Sequence, residues 1–241
     1  WGGFNTIDDM KKVNRAIAAR IAMYQKDWPG LIAALNASFL NLSGSLTTGP
    51  NMVFSTTAND QTNGLFHTPD ATGAPFVIFN NVIADAEAGD TRVTSKMRLR
   101  AAPRTSGVFT STHEVRMYAS NIAPISIIRN EELILMWAEA KIQTNDLTGT
   151  PTSADAAINR IRNAAGLANY AGAMTQSALT DELLKQRRYS LFFEGHRWFD
   201  MRRYNRLAQI QPQGSISGNT FLVFEAMSRP DAEVQWDKLN P

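Results

Sequence analysis

A chain of 241 residues with 24 basic and 22 acidic side chains carries a formal charge of only +2, which gives general nucleic-acid binding no bulk support. At 44% hydrophobic and 19% charged, it has the make-up of an ordinary globular protein, long enough to bury a large core. There is no cysteine, which excludes disulfides and thiolate metal sites, and no apolar run approaches the roughly 18 residues a membrane helix needs.

The chain opens at Trp1 with neither an initiator Met nor a signal peptide, so a removed leader or an excised piece is expected, with any membrane anchor outside the sequence. Residues 6–43 read as a helical hairpin. Met10, Val13, Ile17, Ile21 and Tyr24 recur at helical steps, with Thr6 as N-cap and Asp9 three residues on. Asp27 restarts the chain, Pro29 is tolerated in a first turn, and Trp28, Leu31, Leu35, Phe39 and Leu42 form the second stripe. Such a pair suits one unit of a tetratricopeptide-like array, and a lone unit cannot bury both its faces.

Residues 44–126 change character. Ser, Thr, Asn, Gly and Pro dominate 43–75, and no helical stripe survives there. Ser95 to Arg100 alternates polar and apolar residues like a half-exposed strand, and Ile122 to Ile128 forms a second extended piece. Helix returns over 129–206. Leu133, Met136, Trp137 and Ala140 make one stripe. Ala157, Ile158, Ile161 and Ala165 make another, with Ser153 as N-cap and Gly166 as stop. Thr180 is expected to cap a third helix carrying Leu183, Leu184, Leu191 and Phe192, interrupted at Gly195. The tail, 207–241, reads as loop with one short strand from Phe221 to Phe224.

Three ordered blocks carry a resemblance. Arg129, Glu132, Ala138, Glu139 and Ala140 match an Arg-x-x-Glu-hydrophobic-Ala-Glu-Ala helix. Asn159-Arg160-Ile161-Arg162-Asn163-Ala164-Ala165-Gly166-Leu167 forms the second block. The third runs from Arg187 through Glu194-Gly195-His196-Arg197-Trp198-Phe199-Asp200-Met201-Arg202-Arg203, and a short Asp90-Thr91-Arg92 turn precedes all three. Together they resemble the SusD/RagB family over residues 10 to 206. The resemblance implies a mainly α, SusD-like fold. In it a tetratricopeptide-like helical hairpin joins a helical carboxy-terminal region, with a long irregular insert and a few short strands, as a single body over 1–241. It also implies a chain about twice as long, with a lipid-anchored amino terminus. Asn163 and Gln186 stand where the family usually has Arg and Glu, so a thinner buried ion network is expected.

The resemblance further implies a non-catalytic protein at the outer face of the outer membrane. It would hold an oligosaccharide and pass it to a TonB-dependent, SusC-like transporter, with no cofactor and membrane contact only through the lipid anchor. Two alternatives stay open: a peptide-binding RagB-like member, and a helical glycan hydrolase with two carboxylates across a cleft. The residues themselves favour packing roles. Glu194, Arg197, Asp200 and Arg203 fall three apart, where each can pair with the next, and Glu139 is expected to pair with Arg162 across helices. His67, His113 and His196 lack metal-site spacing. Lys96, Arg98, Arg100 and Arg104, near Arg92 and Arg116, read as a solvated strand face or as an anion contact. Ligand capture is placed near 59–79, among Phe54, Phe66, Phe76, Phe79 and Tyr118. There Phe66 would be a stacking surface, and Asn59, Asp60, Asn63 and His67 would be hydroxyl partners.

Overall fold

Thr6 and Asp9 close a full capping box, each side chain accepting from the other's backbone N–H, and α1 (Ile7–Gln25) runs from it. The structure is a computed structural model that describes residues 2–73, 76–210, 215–216, 219–220 and 223–240. Lys26, left-handed at φ 60°, turns the chain, and the Asp27 carboxylate accepts from Gly30 N to start α2 (Trp28–Asn36). The buried face of α1 is Val13, Ala16, Ala19, Ala22 and Met23, whereas Met10, Ile21 and Tyr24 stay exposed. Apolar stripe and packing face therefore differ. The alanines present almost no side chain, so neighbouring helices can approach closely there.

The middle of the chain is more structured than its composition suggests. β1 (Asn51–Met52), α3 (Asn80–Ala84) and α4 (Thr91–Lys96) lead into a long antiparallel hairpin of β2 (Met97–Ser106) and β3 (Phe109–Val115). The expected strand at 95–100 thus begins two residues later, because the Asp90 carboxylate accepts from Arg92 N and caps a helix through Lys96. A register shift between Leu99 and Arg104 bends the hairpin. β4 (Ile125–Ser126) falls within the expected extended piece and pairs with β1.

α5 (Asn130–Gln143) is buried on nearly every side, taking Glu131, Glu132 and Glu139 into the interior along with its apolar residues. α6 (Ala154–Ala164) follows Ser153 and ends in a Schellman turn. Gly166 at φ 78° donates to Asn163 O, and Leu167 N donates to Arg162 O. α7 (Gln176–Ser190) starts one turn before the expected cap: Thr175 accepts from Ala178 N, while the Thr180 hydroxyl bonds back to Gln176 O. Phe193 and Gly195, both at positive φ, break the chain before α8 (His196–Arg203). In the tail, β5 (Ser215–Ile216) pairs with β6 (Asn219–Thr220). The strand expected from Phe221 lies partly outside the described residues, and its last two positions, Val223 and Phe224, are not in a strand. A helix, α9 (Asp231–Leu239), replaces the expected loop.

The hairpin and the 129–191 helices share one apolar cluster, running from Ala16 and Leu31 through Leu133 and Trp137 to Ile158, Leu183 and Leu191. A second cluster, Ile78, Met97, Val115 and Tyr189, joins the β2–β3 hairpin to α7 and takes in Phe192. Among the described residues, no helix is long and apolar enough to cross a membrane.

Candidate ligand-binding surface

A sealed α5 needs cations for its carboxylates, since an unpaired buried charge is strongly destabilising. Arg20 donates to both Glu132 oxygens at 2.7 Å. Arg203 donates to both oxygens of Glu139, which also accepts the Tyr204 hydroxyl at 2.8 Å. Asp200 accepts from Arg187 at 2.7 Å and Arg203 at 2.9 Å, and Arg129 holds Glu131 at 2.8 Å and Glu194 at 2.6 Å. Burial disfavours the Arg129 and Arg203 cations, yet the carboxylates beside them hold both above the usual arginine range.

Two expected pairings are corrected. Glu139 takes Arg203, and Arg162 instead bridges Glu87 and Glu182. Of the ridge at 194–203, only Asp200 and Arg203 pair with each other. Glu194 lies before the break at Gly195 and turns to Arg129. Arg197 has no carboxylate within salt-bridge reach among the described residues; its Nη1 donates to Leu184 O at 3.1 Å. Gln186, where the family usually has Glu, donates to Glu182 at 2.7 Å, a bond that a second carboxylate could not make.

The basic group of β2 is largely consumed internally. Arg98 and Arg100 both pair with Glu114, Arg98 also with Asp70, and Arg104 donates to the carbonyls of Ala71 and Thr72. Lys96 reaches the Tyr189 carbonyl at 3.1 Å, and Arg92 pairs with Asp90. These cations pin the 70–72 loop and α7 to the hairpin. They form neither a free anion surface nor a solvated strand face.

The residues expected to meet a ligand lie in one loop but differ in what they can offer. Asn59, at φ 72°, and Asp60 are exposed on a turn closed by Asp60 N donating to Thr57 O. Asn63 is 2% exposed: its amide donates to Ala123 O at 2.8 Å and its side-chain oxygen accepts from Leu65 N. It positions the loop. Phe66 is half-buried, and its N–H donates to Asn63 O. The His67 ring sits 6.2 Å from Phe76, and both ring nitrogens are buried without a hydrogen-bond partner among the described residues. Among those residues, no group of three or more His, Asp or Glu is gathered as a metal site.

A larger concavity lies elsewhere. A cavity of about 1060 Å³ opens between α3, the α7–α8 corner and the 223–228 segment, with Phe79, Asp85, Arg188, Arg197, Trp198 and Phe224 in its wall. Its position had no signal in the sequence beyond Phe79, because it is assembled from three stretches that meet only on folding.

This architecture, a helical hairpin packed on a central buried helix with a loop-rich insert, is that of SusD-like proteins. Solved structures superpose on it. A surface glycan-binding protein A from Bacteroides thetaiotaomicron matches at TM-score 0.66 and 14% identity, covering 94% of this chain and 62% of that one. A SusD-like protein from Bacteroides fragilis matches at 0.60 and 15%, covering 79% and 53%. A SusD superfamily protein from Bacteroides vulgatus matches at 0.57 and 18%, covering 82% and 52%. The chain thus spans about half to three fifths of the length of these proteins. No curated protein matches it. Residues 78–238 match the SusD family, and the chain belongs to that family. SusD family members are non-catalytic binding proteins.

Proposed function

We propose that this chain is part of a cell-surface protein that captures glycan and delivers it to a TonB-dependent transporter in the outer membrane, to which a lipid anchor would tether it. The family membership over residues 78–238 carries this reading. The likeness to a surface glycan-binding protein supports it. The ion network also weighs against a hydrolase. Glu131, Glu132, Glu139, Glu182 and Asp200 are each bonded to arginine, so none stands free across a cleft as one of a catalytic carboxylate pair.

Within the chain, the capture surface is proposed near 59–79. Phe66 would stack on a sugar ring, Asn59 and Asp60 would meet hydroxyls, His67 would do so once the loop shifts to uncover its buried ring nitrogens, and Asn63 would contribute mainly by holding the loop. Calorimetric titration of the full-length protein with oligosaccharides, comparing Phe66→Ala and Asp60→Ala with wild type, tests this. Loss of one such contact is expected to weaken binding roughly five- to 150-fold. Wild-type affinity in both folded variants would place the surface elsewhere. Co-purification with a TonB-dependent transporter would test delivery.

A further inference from the structure

Most buried arginines in this protein have a carboxylate. Arg92, Arg129, Arg162, Arg187 and Arg203 all do. Arg197 is half-buried in the wall of the 1060 Å³ cavity and has none among the described residues. The stretch 211–222 contains no Asp or Glu to supply one. One guanidinium N–H group donates to Leu184 O, and among the described residues the others make no hydrogen bond. Burial and the repulsion of Arg188 pull Arg197 down to about 10, below its ordinary value. Arg188 is answered by Asp85 at 2.8 Å. The charged side chains of the wall therefore sum to one uncompensated positive charge.

Most of the rest of the wall is aromatic or aliphatic, with Asn81, Gln209 and Ser228 as its uncharged polar members. Phe79 is 37% exposed, and Trp198, Ile210 and Phe224 also line the space. The Trp198 indole is held in place by donating to Phe224 O at 2.9 Å. Phe79 is braced by Phe109, with ring centroids 5.1 Å apart. A largely apolar, aromatic wall with a single unmatched guanidinium complements a sugar ring that has an apolar C–H face and one carboxylate.

Resting on the glycan reading above, we infer that this cavity is a subsite for an acidic sugar, with the carboxylate of a hexuronate unit on Arg197 and the ring face against Trp198 and Phe79. The alternative of an acidic peptide is less favoured: a second peptide carboxylate would meet Asp85.

The test titrates the full-length protein with an aldobiuronic acid, a disaccharide that carries a single hexuronate carboxylate, and with its methyl ester, which keeps the rings and removes the charge. The free acid is expected to bind at least about tenfold more tightly than the ester. Arg197→Gln should erase that difference while leaving affinity for the ester and the melting temperature close to wild type. Should Arg197→Gln not fold, rising salt must shrink the acid-over-ester preference of the wild-type protein. Equal binding of acid and ester, or an undiminished preference in Arg197→Gln, would overturn the subsite. So would equally effective competition by an acidic tripeptide. If neutral glycans bind and the uronate does not, only this inference fails; if no glycan of any kind binds, the glycan reading fails with it.

Discussion

Asp200 is held by two arginines, but among the described residues Arg187 has no other salt-bridge partner. Arg187 is 0% exposed at its side chain, and apart from its bond to Asp200 its terminal nitrogens find no partner among the described residues. Removing Asp200 strands a buried cation, whereas removing Arg187 leaves Asp200 with Arg203. Asp200→Ala is accordingly expected to cost about 3–5 kcal/mol in urea unfolding, and Arg187→Met distinctly less, because methionine fills the space without an unmet charge. Equal losses would mean that the pair acts as a symmetric unit. Acid should act through the same kind of contact. Hydrogen bonds from Arg162 and Lys185 hold Glu87 down at about 2 against an ordinary 4.5. A carboxyl lowered on folding contributes its stability fully above the unfolded value and loses it as pH falls through the folded one. Stability should therefore be level above about pH 5 and fall between pH 4.5 and 2, with a shallower fall in Glu87→Gln.

Several helix ends in this chain are set by neighbours in sequence, so they could be read in advance. Thr6 with Asp9, Asp27 before Pro29, and the stop at Gly166 all sit where cap chemistry places them. Faces are set by partners distant in sequence, and there periodicity misleads: α1 buries its alanines because other helices lie against that side. The start of α7 slipped because Thr175 and Thr180 are equally competent caps locally, and only packing chooses between them. Glycine gives a direct test of these element junctions. At Gly166 a Cβ would need φ 78° and would lie 3.1 Å from Thr91 Cγ2, so Gly166→Ala should cost about 1–2 kcal/mol. At Gly49 it would fall 2.1 Å from the Ile128 carbonyl, beside the β1–β4 pair, where backbone has to move. Gly49→Ala is expected to lower the melting temperature more than Gly166→Ala. The reverse order would show that this crossing yields easily.

At the scale of the molecule, the family's three blocks were legible because each is short and local, while their ionic partners were not. Arg203 and Glu139 are 64 residues apart, Arg20 and Glu132 are 112 apart, and no spacing rule joins such positions. The cavity at Arg197 escaped notice for the same reason. What the hairpin needs on its far side was legible. Ile7, Met10 and Ile21 lie on one side of α1 and remain exposed, Ile7 at 77% and Ile21 at 52%. A repeat-like hairpin with one face on the core has a second face to cover, and the matched structures are longer than this chain. This leads to a paired measurement. In the isolated 241-residue chain, Ile21→Ser should change stability by no more than about 0.5 kcal/mol, since the side chain already meets water. In the full-length protein the same substitution should cost about 1.5–3 kcal/mol, the value of a buried isoleucine, if a further helix lies on this stripe. Identical small effects in both would show that α1 ends the array and keeps this face open to solvent.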